Sequence, residues 1–294
     1  MKKQLLDILA CPKCRGLLSY EGTYTGDRLQ DGLLTCSGCD IQYQVLDQIG
    51  ILVDQGLSAN EFQWEVDVSE LNDFDAVQSA YDEAVAADVL VARAKLLQHI
   101  IDRVSTRPGQ LLDMATGMGM LFREVAAGVA AIASPVRPEC LATDVDSSVL
   151  RGTQRKTADA GNGSVASFVS MDSCHLALQD EVIDTVISLE GFANIPDGPG
   201  AMAQAARVLR PGGLVIFSTL LLKEDSPSFQ LAADHGHNGL ISESRVQEAL
   251  TSAGLEITER QDFVSGQWAG CPYDLLPLEG DWFAHAVFTA SKPE

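Results

Sequence analysis

The chain alternates, after residue 109, between short apolar runs and stretches that carry apolar residues at helical intervals. The apolar runs predict strands over residues 110–114, 140–143, 165–171, 182–189 and 214–219. The stretches between them predict helices over residues 121–133, 147–160 and 201–209. Near-continuous apolar strands that alternate with helices are typical of a parallel sheet covered on both faces, so the pattern predicts an α/β fold.

Helical spacing also precedes this alternation, and a mixed pattern follows it. Residues 74–104 carry apolar side chains at helical intervals, and Pro108 and Gly109 end the helix that they predict. The last part of the chain predicts a helix over residues 242–253 and strands over residues 255–263 and 282–290. The predicted sheet therefore continues beyond the alternating region.

The composition is that of a folded protein. Hydrophobic residues make up 46% of the 294 residues, which is enough for a substantial core and excludes wholesale disorder. No stretch approaches the roughly 18–20 uninterrupted apolar residues that a membrane span needs. The first apolar run is interrupted by Asp7 and ends at Cys11 and Pro12, unlike a signal peptide. We therefore expect a cytoplasmic protein that does not enter a membrane.

Charge narrows the classes of partner. The chain carries 41 acidic and 20 basic residues, a net charge of −21, and such a surface repels phosphate backbones at long range. Nucleic acid is therefore the less favoured partner, although a local basic patch could still bind it. Residues 57–92 contain acidic residues but no Lys or Arg, which indicates a solvated helical face or connector. Adaptation to high salt would explain the acidic charge equally well.

Two cysteine pairs give the first chemical signal. Cys11 and Cys14 form one CxxC turn, Cys36 and Cys39 form another, and 21 residues separate the turns. Two such turns can present four thiolates to one tetrahedral Zn²⁺. A redox motif needs only one CxxC, and a cytosolic chain keeps disulfides reduced, so zinc is the favoured interpretation. Four thiolates leave no open coordination position, so we expect the metal to be structural, and Gly38 suits the tight turn.

The residues around these turns resemble the small zinc-ribbon proteins that activate tRNA, rRNA and protein methyltransferases. The resemblance covers residues 2–53 and includes both CxxC turns. Those proteins usually end in Asp-Gly-Ile-Pro, whereas this chain has Asp47, Gln48, Ile49 and Gly50, so we expect a different turn there. The resemblance implies a small zinc ribbon over residues 1–57.

Acidic residues at the ends of predicted strands give the second signal. Asp113 ends the first strand and is followed by a small-residue turn through Gly119, in which glycine lets a ligand approach the backbone. The turn lacks the third glycine of a nicotinamide-binding GxGxxG motif. Asp144 ends the second strand, where a carboxylate can accept both hydroxyls of a ribose. Asp172 ends the third strand at the same edge, although any one of these acids alone could be a helix cap.

This order of motifs resembles the class I S-adenosylmethionine (SAM)-dependent methyltransferases over residues 74–294. The resemblance implies a Rossmann-like, doubly wound, mostly parallel seven-stranded sheet, in a domain over residues 58–294 whose segment 58–109 is helical. It also implies a set of SAM-binding residues: Asp113, Ala115, Thr116, Gly117, Gly119, Asp144, Val145, Asp172, Ser173, Leu189 and Glu190. Ala115 stands where the family usually has glycine, which is tolerable if its φ is negative.

A catalytic base is not evident in the sequence. Methyl transfer mainly requires alignment of the reactants and exclusion of water, and a base is needed only if the acceptor must first lose a proton. Residues 192–196 carry neither the histidine common in O-methyltransferases of small molecules nor a good match to the motif of base N-methyltransferases. Glu190, His235 and His237 remain candidates, with turn or solvent roles as the alternative.

Three functions are consistent with this combination. The first is transfer of a methyl group from SAM to a small molecule. The second is methylation of an rRNA or tRNA base with the ribbon holding RNA, because the layout resembles bacterial rRNA guanine-N1 methyltransferases. The third is a SAM-binding adaptor without turnover, whose ribbon docks a protein partner or a second copy. Aromatic residues in the C-terminal region could close over an apolar acceptor or simply pack in the core: Trp268, Tyr273, Trp282 and Phe283.

Overall fold

The computed structural model describes residues 1–53, 74–105, 107–121, 140–159 and 166–294, and of residues 74–78 only the backbone. All but the first position of the helix predicted over 121–133 lies outside these residues, as does much of the acidic run and the predicted boundary between residues 57 and 58. Among the described residues, no helix combines the length and the apolar character that a membrane crossing requires.

The N-terminal residues form a small antiparallel unit. A 3₁₀ helix, Lys3–Asp7, precedes four strands: β1 (Leu18–Thr25), β2 (Arg28–Cys36), β3 (Gln42–Leu46) and β4 (Ile49–Ile51). Each strand pairs with the next in antiparallel fashion. Alternate side chains are buried, among them Leu34, Tyr43 and Val45. The period of two is what a sheet with one buried face requires.

Strands and helices alternate in the remainder of the chain. The strands are β5 (Leu111–Met114), β6 (Cys140–Asp144), β7 (Ala166–Ser170), β8 (Ile183–Leu189), β9 (Leu209–Leu222), β10 (Glu256–Gln267) and β11 (Trp282–Ser291). The helices are α1 (Phe74–Ala84), α2 (Ala87–Ser105), α3 (Ser147–Asp159), α4 (Gly191–Asn194), α5 (Gly198–Val208), α6 (Pro227–Asp234) and α7 (Glu243–Ser252).

Several elements differ from their predicted bounds. The helix predicted over residues 74–104 is two helices, because the chain turns between Ala84 and Ala87 and buries both Val85 and Val89 in one apolar cluster. The strand predicted over 214–219 begins at Leu209, since a shift in its register with β8 accommodates the residues before Leu214. Strand β10 ends four residues later than predicted, and helices α4 and α6 were not predicted.

The described strands form one mixed sheet of eleven, in the order β1-β2-β3-β4-β7-β6-β5-β8-β9-β11-β10. The central pairs from β4 to β9 are parallel, whereas β11 is antiparallel to both β9 and β10. The sheet is larger than the seven strands expected, because Gly50 and Ile51 of β4 pair with Val169 and Ser170 of β7. The ribbon thus extends the α/β sheet instead of merely preceding it.

Backbone contacts continue this junction around the segment that follows β7. The amide of Ala10 donates to the carbonyl of Ala177 at 3.0 Å, and the amide of Gln179 donates to the carbonyl of Ile8 at 2.9 Å. Leu9 and Leu178 lie between these bonds and are fully buried in a core shared by the ribbon and the rest of the sheet. The two parts of the chain therefore share apolar burial, the main favourable contribution to folding.

Arg207 of α5 holds this segment in place. Its guanidinium donates to the carbonyls of Leu176 and Leu178 at 3.0 and 2.8 Å, and to Asp180 Oδ1 at 2.7 Å. The bond from Arg207 lowers the pKa of Asp180, which also pairs with Arg15 of the ribbon. One side chain thus orders the strip of backbone on which the ribbon packs.

We predict that Arg207→Met lowers the free energy of unfolding by about 2–3 kcal/mol, because it leaves two largely buried carbonyls without a donor. Urea unfolding measures the change. The matched control is Arg210→Met, whose ion pair with Asp184 is partly exposed and should contribute about 0–1 kcal/mol. Equal effects of the two substitutions would contradict this role of Arg207.

Candidate functional site

The four predicted cysteine ligands come together. Their Sγ atoms all lie within 4.8 Å of one another, and they form the cluster of potential metal ligands found among the described residues. Cys11 Sγ is 3.7 Å from Cys39 Sγ, and Cys14 Sγ is 3.4 Å from Cys36 Sγ. A tetrahedral ion with Zn–S bonds of about 2.3 Å needs sulfurs roughly 3.8 Å apart, so this donor set fits zinc.

The two CxxC turns have the same backbone construction. The amide of Arg15 donates to the carbonyl of Cys11, and that of Asp40 donates to the carbonyl of Cys36. Both Arg15 and Asp40 have positive φ, which reverses the chain after each turn. The amide of Gly38 donates to Cys36 Sγ at 3.3 Å, so this amide faces the cysteine cluster.

Tyr43 contacts this cluster and was not anticipated from the sequence. Its hydroxyl lies 3.2 Å from Cys11 Sγ in a buried position. Burial opposes ionisation of Cys11, but the hydrogen bond from Tyr43 and those from the backbone outweigh it and lower the pKa to about 7. The alternating pattern of β3 could have placed Tyr43 on the inner face of the ribbon, but not beside a particular sulfur.

The second predicted constellation lies at the carboxyl edge of the parallel strands. Asp113 is buried at the end of β5 and accepts a hydrogen bond from the Thr116 hydroxyl. Its Oδ1 has no hydrogen-bond partner among the described residues. Burial raises the pKa of Asp113 to about 7, against the opposing effect of Thr116. A buried carboxylate oxygen without a donor is the kind of atom that a polar ligand satisfies.

The turn after β5 is joined to the end of β6. The amide of Thr116 donates to the Thr143 carbonyl at 2.8 Å, and that of Gly117 donates to Asp144 Oδ2 at 2.9 Å. The other oxygen of Asp144 accepts from the amide of Asp146. Burial raises the pKa of Asp144, while these backbone donors lower it. The predicted turn and the predicted ribose-binding acid are thus in direct contact.

The backbone conformation of this turn explains why two of its positions are glycine. Gly117 and Gly119 both have positive φ. A Cβ at Gly119 would lie 2.4 Å from Cγ2 of Thr153 in α3, so a larger residue does not fit there. A Cβ at Gly117 would meet no atom of the described residues within 4 Å. Within the described part of the chain, the turn is therefore packed against α3 on one side and open on the other, as a ligand cradle requires.

Ala115 differs from the expectation of a negative φ, since its φ is +56°. A non-glycine residue in this region costs roughly 1–2 kcal/mol. The turn packs against Gly191, where a Cβ would lie 2.8 Å from that of Ala115. The left-handed conformation is thus kept by neighbours despite its cost.

The third predicted acid belongs to the same edge. The amide of Met171 donates to the Asp144 carbonyl at 2.9 Å, and the Ser170 hydroxyl donates to the carbonyl of Val145 at 2.8 Å. The Asp172 carboxylate accepts from the amide of Cys174 and lies 2.7 Å from His175 Nδ1. Ser173 is buried next to it. The ends of β6 and β7 thus bring Val145, Asp172 and Ser173 to one region.

Glu190 follows Leu189 at the end of β8, beside the turn. Its φ is +61°, and its amide donates to the Ser218 hydroxyl at 3.0 Å. Glu190 Oε1 lies 2.9 Å from His285 Nε2 and 4.0 Å from Arg93 Nη2. Burial opposes ionisation of Glu190, but His285 and Arg93 outweigh it and lower the pKa to about 2. Glu190 is therefore a carboxylate at neutral pH and a poor proton acceptor.

The two candidate histidines lie near the C-terminal end of α6. His235 is exposed at the C-cap. His237 Nε2 is 2.7 Å from the Ala193 carbonyl of α4, and burial lowers its pKa. His237 therefore contacts the helix that follows Glu190, and no described contact joins either histidine to the Glu190 carboxylate.

The predicted aromatic residues divide into two pairs. Trp268 and Phe283 are buried and stack edge to face with ring centroids 5.0 Å apart. Trp282 lies beneath Lys223, and Tyr273 is exposed. Trp268 and Phe283 therefore pack in the core beside Val85 and Val89, which is the second of the two roles considered for these aromatic residues.

Comparison with known families identifies two regions. Residues 112–217 match the model of a methyltransferase domain, which spans the turn after β5 and most of the parallel strands. Residues 2–47 match the model of Trm112p-like proteins, which includes all four cysteines.

Curated relatives are methyltransferases that match part of the chain. An O-methyltransferase of Pyrenophora dematioidea is 25% identical over 177 residues, which is 58% of this chain and 64% of the relative. A ubiquinone/menaquinone biosynthesis C-methyltransferase of Stutzerimonas stutzeri is 32% identical over 122 residues, 42% of this chain and 44% of the relative. The match thus spans between about two fifths and two thirds of the length of these relatives.

Solved structures show the same fold. Geranyl diphosphate methyltransferase in complex with SAM superimposes with a TM-score of 0.53 at 14% identity, covering 81% of this chain and 100% of that one. Phosphoethanolamine N-methyltransferase 2 of Haemonchus contortus, also with SAM, gives 0.51 at 16% identity, covering 67% and 52%. The chain therefore carries a methyltransferase domain that includes residues 112–217, preceded by residues 2–47, which match Trm112p-like proteins.

Proposed function

We propose that the chain is a SAM-dependent methyltransferase that acts on a small molecule. The observation that carries this proposal is the hydrogen bond from the Gly117 amide to Asp144, which joins an open glycine turn to the acid at the next strand end. That pairing of a backbone cradle with a carboxylate suits a nucleoside ligand at the carboxyl edge of a parallel sheet.

The edge residues divide the binding of SAM between them in this proposal. Asp144 accepts hydrogen bonds from the ribose hydroxyls, and the turn from Ala115 to Gly119 with Asp113 holds the methionine part. Val145, Asp172 and Ser173 border the adenine, while Leu189 and Glu190 face the acceptor. When bound, SAM supplies a methyl group on a positively charged sulfur, which an acidic protein edge attracts.

Catalysis by these residues would consist of positioning and exclusion of water. Helix α2, the turn before it and the segment 268–281 contribute side chains to one apolar cluster, among them Val85, Val89 and Trp268. A dry, fixed geometry favours direct displacement at a methyl group. Because Glu190 is ionised at neutral pH through His285 and Arg93, its role is to orient groups and not to remove a proton.

The ribbon has a structural role in this proposal. The proposed zinc ribbon is residues 1–57, whose four thiolates hold one Zn²⁺, and the proposed catalytic domain is residues 58–294, in which the described part of segment 58–109 carries α1 and α2. Thiolate ligands persist in reducing surroundings, so we place the protein in the cytoplasm. The ribbon could also contact a protein partner or a second copy.

A small acceptor is favoured over RNA by charge. The net charge is −21, and Arg15 of the ribbon is already paired with Asp180. Six curated relatives are named for ubiquinone biosynthesis, which also favours a small molecule. An adaptor without turnover is the remaining alternative.

Transfer of radiolabel from methyl-labelled SAM to a cell extract should label the small-molecule fraction and survive nuclease treatment. Label that nuclease removes would favour RNA. Label in no fraction, from protein that binds SAM, would favour the adaptor.

We expect Asp144→Ala to weaken SAM binding by about 1–3 kcal/mol, because ribose hydroxyls lose a charged acceptor. Isothermal titration calorimetry measures the affinity. The control is Asp159→Ala at the end of α3, which should bind SAM as the unaltered protein does. Unchanged affinity of Asp144→Ala would contradict the assigned role of this acid.

One zinc per chain is expected by elemental analysis, and Cys36→Ser should remove it. Since the ribbon shares its core with the rest of the sheet, the loss should lower the Tm by on the order of 5–10 °C. Cys174→Ser, outside the cluster, is the control and should keep the metal. Stoichiometric zinc in the double variant Cys11→Ser/Cys36→Ser would refute the assignment.

A further inference from the structure

Five polar side chains from separate segments meet beside the end of β8, and we call them the polar cluster: Tyr81, Arg93, Glu190, Asp274 and His285. The Tyr81 hydroxyl donates to Asp274 Oδ2 at 3.0 Å, and Arg93 Nη2 donates to that hydroxyl at 3.1 Å. Glu190 lies between Arg93 and His285. Only Glu190 was singled out in the sequence, and sequence separation hides the rest.

One N–H group of Arg93 remains available as a hydrogen-bond donor. Its side chain is 12% exposed, and its guanidinium carbon lies 5.0 Å from the centre of the Tyr81 ring. Arg93 Nε is buried and has no hydrogen-bond partner among the described residues. Buried donors are nearly always satisfied, so Arg93 Nε–H is available to an acceptor atom that the described residues do not provide.

Trp268 provides a second unsatisfied donor. Its side chain is buried, and Nε1 lacks a hydrogen-bond partner in the described part of the chain. Trp268 belongs to an apolar cluster that we define by these buried members: Val85, Val89, Ala193, Leu222, Ala232, Ile241, Trp268, Cys271 and Phe283. Arg93 follows Val89 by one helical turn, and Tyr81 packs against the cluster, so both donors border the same apolar region.

Charge decides which kind of acceptor atom suits these donors. Glu190 is shared between Arg93 and His285, and burial raises the pKa of Asp274 to about 6, so that Asp274 is largely ionised at pH 7. Arg93 and a sulfonium bound at the adjoining turn would then balance these two carboxylates. The guanidinium N–H that remains is a charged donor, and a charged donor bonds an anionic oxygen more strongly than a neutral one, which favours a negatively charged ligand.

We propose that the polar cluster, together with the part of the apolar cluster that borders it, forms the acceptor site, and that it takes a small apolar molecule with an anionic oxygen, bound by Arg93 Nε–H and Trp268 Nε1–H. This inference rests on the proposed function, because it assigns the methyl acceptor of that reaction. Arg93 and Trp268 thereby become residues that determine acceptor specificity.

An anionic acceptor also needs no catalytic base. If the bound oxygen is itself the nucleophile, one O–CH₃ bond forms as the S–CH₃ bond breaks, and the sulfonium becomes a neutral thioether. No proton moves in this step. Carboxylates and acidic phenols or enols both satisfy the requirement.

The test uses 2-naphthoate and its neutral counterpart 2-naphthamide as probes, titrated into protein saturated with S-adenosylhomocysteine. We expect the anion to bind at least about tenfold more tightly than the amide. Benzoate and 4-phenylbutyrate, each with its amide, repeat the comparison with other apolar bodies, so that the result does not depend on one shape.

Variants then assign the preference to residues. Arg93→Gln should reduce the anion-to-amide ratio to near one, and Trp268→Phe should lower anion affinity about threefold, each without loss of S-adenosylhomocysteine binding. Arg103→Gln is the matched control, since Arg103 lies on the same helix but pairs with Glu259. If Arg93→Gln does not fold, Trp268→Phe and the ratio in the unaltered protein still decide.

The outcomes separate the two proposals. Equal affinity for anion and amide in all three pairs, from protein that binds S-adenosylhomocysteine, overturns this inference alone. An unchanged ratio in folded Arg93→Gln also overturns it. Failure of the unaltered protein to bind S-adenosylhomocysteine overturns the proposed function and this inference with it.

Discussion

The parallel pairing of β4 with β7 is the contact on which the arrangement of the rest depends. It covers an edge strand of the α/β sheet that would otherwise present free backbone groups. The amide of Leu52 extends the pairing to the Ser170 carbonyl at 2.7 Å, at the last residue of β7. Ser170 in turn bonds to Val145, so the ribbon supports the strand ends that carry the proposed adenine-side residues.

Two of the non-glycine residues with positive φ, Ala115 and Glu190, lie at the candidate site. Gly191 follows Glu190 and packs so closely against Ala115 that a Cβ at Gly191 would lie 2.8 Å from the Ala115 Cβ. Strained residues persist only where surrounding contacts fix them, and they are frequent at functional sites. Here the Ser188 hydroxyl donates to the Met114 carbonyl, and the backbone amide of Glu190 donates to the Ser218 hydroxyl. The turn and the end of β8 are thus held as one unit.

Local signals in the sequence were enough for the cysteine cluster and for the acids at the strand ends. CxxC spacing acts within one turn, and carboxyl ends of parallel strands meet at one edge whatever the details of packing. The pairing of β4 with β7 is non-local, so no local pattern reveals it, and the sheet was expected to have fewer strands. Tyr43, Arg93 and His285 act through side-chain contacts across long sequence separations. A lone histidine in the apolar strand β11 was the one available hint.

Because the ribbon and the rest of the sheet belong to one chain, their pairing does not depend on the protein concentration. Two separate chains would part on dilution, whereas a tether keeps the partner at an effective concentration on the order of millimolar. Only the residues between Val53 and Phe74 separate the described parts of the ribbon and the helices that follow. The edge of β7 is therefore covered at any protein concentration, and it becomes free only when the ribbon itself comes apart.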